Sequence, residues 1–413
     1  MLKKFLLLNL LILIAFSAGS SFVAGQTADP KLAVADPNDI EFVRARFSEN
    51  GQRIAGMMWS LTHNYSDKAE VDKVMEDLIG FLTALQTSDP EAMKKLGGPQ
   101  GIKEKFAAYT KSGDSTIRGF SAIILAIFGD KKYVPAIAEI LTADFKFKDD
   151  LARMTETSKG QAAIALSMLG ATEYEGKVLE LLKTGNDFNR DGAITALIRL
   201  GGKKHAKAVV DLMLDKNAYA LNKLAPLNFL LETGAALDHK KELIGLLHSS
   251  FDSEQRKAIM FLFVRLDAKD TKPEIAKLLN VDYVKGDAAK ALAIMGATEY
   301  EGKIALLLSD GNSLVRKDAA LALGILKSVK YAEAVSKLLI AKEDFVRLYA
   351  AIALIMMDAK PYLSKAVPVV DSFKQQRVYL NMGNFHPFVV NRAQELIDKF
   401  DVQLETARTI ANQ

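Results

Sequence analysis

The octapeptide GATEYEGK occurs twice, at Gly170–Lys177 and Gly296–Lys303, with all eight residues identical. A glycine followed by a glycine–lysine pair has the outline of a phosphate-binding loop. Such a loop places four residues between its first glycine and the GK pair, then a Ser or Thr for magnesium. Here five residues separate Gly170 from Gly176, and Val178 and Ile304 stand at the hydroxyl position. The segment also follows a helical pattern, where a phosphate loop follows a strand. A nucleotide site is excluded, and a corner between two helices accounts for the residues. Gly170 and Gly296 suit the left-handed position that ends a helix. Thr172 and Thr298 are placed to cap the next one, with Glu175 and Glu301 three residues on completing a capping box, each cap being worth about 1 kcal/mol.

The two copies lie 126 residues apart, close to four steps of 31. Stepping by 31 recovers KGQAAIALSMLG from Lys159, RDGAITALIRLG from Arg190, KGDAAKALAIMG from Lys285, RKDAALALGILK from Arg316 and RLYAAIALIMMD from Arg347. Alanine stands three residues after each start (Ala162, Ala193, Ala288, Ala319, Ala350) and again at six (Ala165, Ala196, Ala291, Ala322, Ala353). Leucine follows at seven, as Leu166, Leu197, Leu292, Leu323 and Leu354. These offsets return to one face of a helix, so the columns describe an amphipathic helix with a small-residue stripe. Weaker copies begin at Arg118, near Leu221 and near Gln255–Arg256, giving about eight two-helix units over residues 115–370. No unit can bury its apolar face alone; stacked neighbours make one core.

The turn-plus-basic starts Asp344-Phe-Val-Arg347 and Ser313-Leu-Val-Arg316, each followed by the A-x-x-A-L helix, resemble the HEAT-like repeats. The resemblance is to the short class first described in phycobilisome lyases, since a period of 31 is below the ~40–47 of ordinary HEAT and armadillo units. It implies an all-α, right-handed α-solenoid. That architecture serves scaffolds, adaptors and occasional enzymes, so the resemblance implies no one activity.

The ends depart from the period. Lys3 and Lys4, an apolar run from Phe5 to Phe16 broken only by Asn9, and small residues at Val23-Ala24-Gly25 read as a cleaved signal peptide over residues 1–25. The run is short of the ~20 residues that span a bilayer, and no later run is long enough, so no stable membrane span is expected after cleavage. The expected compartment is periplasmic or extracellular. The chain has no cysteine, which excludes disulfides, thiolate metal sites and a lipidated cysteine. Loss of Lys3 and Lys4 leaves 52 basic against 50 acidic side chains, a formal charge of +2 that argues against nucleic acid. Residues 26–37 read as a linker, 38–114 as a helical N-terminal region, and 371–413 as a loop and capping helix about Asn391–Ala411.

Three columns invite functional readings. Tyrosines recur in the corners at Tyr133, Tyr174, Tyr300, Tyr331 and Tyr362, with His205 in one copy; packing between hairpins is preferred to a stacking surface for ligands. The basic starts (Arg118, Lys159, Arg190, Lys285, Arg316, Arg347) have acids such as Asp310 and Asp344 beside them. An internal ladder is therefore preferred to an anion site. On the second helices, one position reads Glu180, Asp211, Leu306 and Lys337, an irregular surface suited to protein. Trp59 and His63, one turn apart, are read as a pair buried by the N-terminal region. The aromatics of Asn381–Phe388 either touch a partner or dock on the last repeat.

Chemistry finds no foothold. His63, His205, His239, His248 and His386 show no HExxH spacing, no GxSxG elbow is present, and Asp149-Asp150 reads as a solvated loop. No catalytic, cofactor or metal residue is assigned. The expectation is a non-enzymatic binding or scaffolding protein of the cell envelope, with an unidentified protein partner and its oligomeric state open. The alternatives are an envelope enzyme with its site in the N-terminal region or an inter-helix groove, and a small-ligand carrier built on the tyrosines.

Overall fold

Each Ala-rich segment forms a helix, and each corner turns the chain into a second helix lying against it. The computed structural model describes residues 36–63, 68–146, 154–215, 224–250, 252–374 and 386–411. The expected signal peptide and most of the linker lie outside the described residues, as do the copy start near Leu221 and Asp149-Asp150. Every described regular element is helical, and none of these helices is long and apolar enough to cross a membrane. The chain forms two compact units, Met1–Asp238 and His239–Gln413.

The first unit opens with α1 (Ile40–Glu49), α2 (Gly51–His63), α3 (Lys68–Thr87), the short α4 (Pro90–Lys95) and α5 (Gly98–Tyr109). Asp89 starts α4: its carboxylate accepts from the amides of Glu91 and Ala92, and Pro90 fills the first turn. Three hairpins follow: α6 (Ser115–Phe128) with α7 (Val134–Thr142), α8 (Ser158–Met168) with α9 (Glu175–Thr184), and α10 (Asp187–Leu200) with α11 (Ala206–Leu214). Helix α12 (Leu224–Glu232) ends the unit. The second unit holds α13 (Lys240–Ser249), then α14 (Ser253–Arg265) with α15 (Lys272–Lys277), α16 (Lys285–Ile294) with α17 (Glu301–Leu306), α18 (Ser313–Ile325) with α19 (Ala332–Ser336), and α20 (Asp344–Met356) with α21 (Lys360–Lys374). Helix α22 (Val390–Ala411) closes the chain.

In both units each first helix packs on the first helix of the next hairpin: α6 on α8 on α10, and α14 on α16 on α18 on α20. All fifteen residues of the two alanine columns and the leucine column have no exposed surface. Each buried leucine contributes about 1.5–3 kcal/mol, while the alanines let neighbouring helices approach. The closest approach lies between α8 and α10, where a Cβ on Gly192 would stand 2.4 Å from Gly160 Cα. These stacked hairpins are two-helix repeats, the all-α class the columns predict.

The terminal helices do not simply add another layer. In the first unit Phe47 of α1 and Phe81 of α3 meet Phe128 of α6, ring centroids 5.0–5.4 Å apart. Arg46 donates to the Ile127 and Ala126 carbonyls, and Arg53 lies 3.1 Å from Met168 Sδ, so α1 and α2 cross the C-terminal ends of α6 and α8. In the second unit α22 packs on α21 and α20 of the last hairpin and also reaches back to α16. Arg392 donates to the Ile294 carbonyl (3.4 Å), Gln403 to the Met356 carbonyl (3.4 Å) and Arg408 to Asp371 (3.1 Å from Nε). Its buried residues Ala393, Phe400, Leu404 and Ala407 make a single stripe.

Candidate interaction surface

The repeated octapeptide sits where the first helix gives way to the second. Gly170 and Gly296 have φ of +66° and +65°. The Gly170 amide donates to the Ser167 carbonyl and the Ala171 amide to that of Leu166 (3.2 and 3.0 Å); Gly296 and Ala297 repeat the pattern on Ala293 and Leu292. This is the paired closure that satisfies the last carbonyls of a helix. The expected capping box does not form. A 3-10 turn, Thr172–Tyr174, precedes α9, so Glu175 is the first residue of that helix rather than its third and cannot reach back to a cap. Its carboxylate reaches the next hairpin instead, accepting from Lys204 (2.7 Å) and pairing with His205 Nε2 (2.9 Å). Glu301 likewise meets Lys330 at 2.7 Å. The bond from Lys204, and then that from His205, hold the Glu175 carboxyl below its ordinary range.

The tyrosines serve packing. Tyr133 is buried and its hydroxyl accepts from Gln100 (3.1 Å), while a Cβ on Gly302 would stand 3.5 Å from the Tyr331 hydroxyl in the next hairpin. Tyr174, Tyr300, Tyr331 and Tyr362 are half-buried. Two grooves open beside them, of about 290 Å³ near Lys131, Pro135, Leu169 and Tyr174, and about 420 Å³ near Lys330, Glu333, Pro361 and Tyr362. Each is lined by one tyrosine, so neither is an enclosed aromatic pocket.

Five of the six basic starts form an internal ladder, while Lys159 lies over the Phe145 ring. Arg118 donates to the Ser112 and Gly113 carbonyls (2.8 and 2.9 Å) and to Glu156 (2.6 Å), with its guanidinium 4.0 Å from the Phe145 ring centre. Arg316 repeats this on Asp310, Gly311 and Glu343, and Arg347 on Ala341, Lys342 and Asp344. Lys285 pairs with Asp282 (2.8 Å) and Asp310 (2.7 Å). Each ladder cation thus satisfies the end of the preceding hairpin, and the charges of Arg118, Lys285 and Arg316 also reach the next.

Two buried charges escaped the sequence reading because each has a partner remote in the chain, Asn38 and Asp130 for Lys103 and Asp318 for Lys290. Lys103 of α5 is fully buried, with Nζ 2.6 Å from Asp130 and 2.7 Å from Asn38. Lys290 lies 3.0 Å from Asp287 and 3.3 Å from Asp318. Burial works against the Lys290 charge, but Asp318 and Asp287 outweigh it and hold the ammonium above the usual lysine range. It therefore keeps its proton and acts as a structural cation, not a base. Among the described residues no group of His, Asp and Glu is arranged to hold a metal.

Of the other singled-out residues, Trp59 is exposed, a correction to the expected buried pair. Ile54, Met58 and Leu61 form the buried stripe of α2, and Trp59 falls outside it. The His63 side chain and residues 381–385 lie outside the described residues. His386 stacks on Phe261 of α14 (5.0 Å) and Phe388 is buried, so this end of the loop docks on α14, not on the last repeat. Glu180, Asp211, Leu306 and Lys337 are all exposed on their second helices. The sequence reading missed one further column, two residues before each basic start. In the second unit it reads Tyr283, Leu314 and Phe345, exposed by 86%, 55% and 36%, on three consecutive hairpins. The 31-residue register was the signal that could have found it.

No family model matches this chain, and no curated protein matches it. Among solved structures it is similar to the complex of CpcE and CpcF of phycocyanin lyase from Nostoc sp. PCC7120, at 18% identity and a TM-score of 0.26, covering 72% of this chain and 94% of that one. It is also similar to two engineered proteins of the Northeast Structural Genomics Consortium. One is 18% identical with a TM-score of 0.35, covering 88% and 99% of the two chains; the other is 19% identical with a TM-score of 0.17, covering 73% and 97%. The repeat assignment rests on the hairpins themselves.

Proposed function

We propose that this chain is a non-enzymatic protein-binding scaffold, exported to the periplasm or beyond. The observation that carries the reading is the row Tyr283, Leu314 and Phe345, where large apolar side chains face solvent at one register of three stacked hairpins. Isolated exposed apolar residues are ordinary, but a row repeated in register offers contiguous contact area. The ladder cations are held internally, which supports binding through shape and apolar contact rather than through a charged track. The basic, apolar and small-residue succession over Met1–Gly25 supports export.

Crosslinking in intact cells, followed by pull-down and mass spectrometry, tests the reading. A partner recovered with the parent chain and lost with a Tyr283→Ser, Leu314→Ser, Phe345→Ser triple variant is expected. Recovery of no partner, together with hydrolytic activity of the purified chain, would sink it. Export is checked on the same material: the mature chain is expected to begin near Gln26, and a chain retaining Met1 would refute cleavage.

A further inference from the structure

The exposed row has a spacing, a length and a charge, and these describe what fits it. Tyr283, Leu314 and Phe345 each stand at the start of a first helix or just before it, and α16, α18 and α20 pack as successive neighbours. Packed helices lie about 8–10 Å apart, so the row offers one apolar side chain per interval of that size. A β-strand returns to the same face every second residue, after about 6.7 Å, and does not keep step. A polyproline II segment returns every third residue, after about 9.3 Å, and does. The row is short: the same register reads Glu254 in the preceding hairpin, so three contacts are available.

The exposed charges beside the row are mostly acidic, Asp282 and Asp344 against Lys342. Asp282 and Asp344 directly precede Tyr283 and Phe345, and their side chains are 79% and 69% exposed. Each pairs with a ladder cation that has other partners: Lys285 keeps Asp310, and Arg347 keeps the Ala341 and Lys342 carbonyls. Exposed pairs of this kind contribute little, so either carboxylate can turn to an incoming cation without stranding its present one. Lys342 is an exposed cation on the same edge, set against Asp282, Asp344 and the half-buried Glu343.

We propose that this edge of the second unit binds a polypeptide segment in the polyproline II conformation, with an apolar residue at every third position and Lys or Arg between. The inference rests on the scaffold reading and names the chemistry of its partner. Aromatic rims are suited to such segments because the ligand is already extended and loses little entropy on docking.

The test uses the full mature chain and fluorescein-labelled synthetic peptides in anisotropy titrations. The probe is a twelve-residue repeat of Pro-Leu-Lys. One control has the same composition with leucines at alternate positions, a second has Glu for Lys, and a third is an amphipathic helix with leucine at every seventh position. Saturable binding of the probe is expected, at least tenfold tighter than each control. The triple serine variant is expected to lose at least tenfold, and Asp282→Asn with Asp344→Asn to lose severalfold and flatten the salt dependence. Circular dichroism melts confirm folding of each variant, and Leu314→Ser alone, at the one aliphatic position of the row, serves if the triple variant melts early. Equal binding of the alternate-leucine or helical control, unchanged binding by the serine variants, or no saturable binding of the probe would overturn the proposal. Failure here with row-dependent crosslinking intact removes only the stated chemistry. Absence of any crosslinked partner removes the scaffold reading beneath it.

Discussion

At the residue scale, the corner position shows how one backbone requirement is met by different side chains. Gly170 and Gly296 occupy it without strain, but the equivalent residues in other hairpins are Asp267, Lys327 and Asp358, with φ of 51–55°. The same helix-closing bonds form there, from Ser328 to Leu323 and from Ala359 to Leu354. A side chain in this region costs about 1 kcal/mol relative to glycine. Lys327→Gly is therefore expected to stabilise by about 0.5–1 kcal/mol, and Gly170→Ala, where a Cβ meets nothing within 4 Å, to destabilise by about 1 kcal/mol. Urea denaturation of both variants checks the opposite signs. The buried pair at Lys103 gives a sharper contrast. Asp130→Ala leaves the ammonium buried with only Asn38 and is expected to cost about 3 kcal/mol. Lys103→Met, which removes the charge and keeps the bulk, costs clearly less. Thermal melts of the two decide, and equal losses would contradict the role given to the pair.

At the element scale, the decisive contact is first helix on first helix. The approach of α8 and α10 leaves no room for a Cβ at Gly192, because the Gly160 backbone stands 2.4 Å from where it would be. Gly192→Ala forces those helices apart and is expected to destabilise by about 1–3 kcal/mol despite the better helix propensity of alanine. Gly176→Ala, on α9 with nothing within 4 Å, is the control and is expected to be neutral or slightly stabilising. Denaturant midpoints separate the two, and a neutral Gly192→Ala would show that the stack is looser than the contact implies. The alanine and leucine stripe was readable because it recurs every 31 residues on one helical face. The capping box was misread because its spacing is right only if the helix begins at Thr172. The 3-10 turn moves the start to Glu175, and that shift is set by how the corner packs on its neighbour.

At the scale of the whole molecule, neighbouring hairpins are held by carboxylates reaching across to the next basic residue. Glu175, Asp270 and Asp310 are each held below their ordinary range, first of all by bonds from Lys204, Lys240 and Lys285. A depressed folded-state pKa gives stability that is present above the unfolded value, near 4, and is lost as pH falls through the folded one. The contribution of these carboxylates to unfolding free energy is thus expected to be flat at neutral pH and to fall below about pH 4. Glu175→Gln and Asp310→Asn are expected to flatten that acid limb. Hydrogen exchange at the corner amides of the first and second units, followed from pH 6 to 3, locates the loss; an unchanged acid limb in both variants would refute the linkage.

The sequence alone determined the repeat, its length, its buried columns and its corners, because these are local and periodic and every copy restates them. It also pointed to the ladder of cations, since acids such as Asp310 and Asp344 stand near the basic starts. Only the tertiary structure decided that α1, α2 and α22 lie across first-helix ends, that Lys103 and Lys290 are buried, and that Trp59 faces outward. Most of those outcomes depend on single, unrepeated contacts between residues far apart in the chain, such as Lys103 with Asn38 and Arg392 with Ile294. The exposed row falls between the two: its spacing was in the sequence, but solvent exposure is a property of the stacked hairpins.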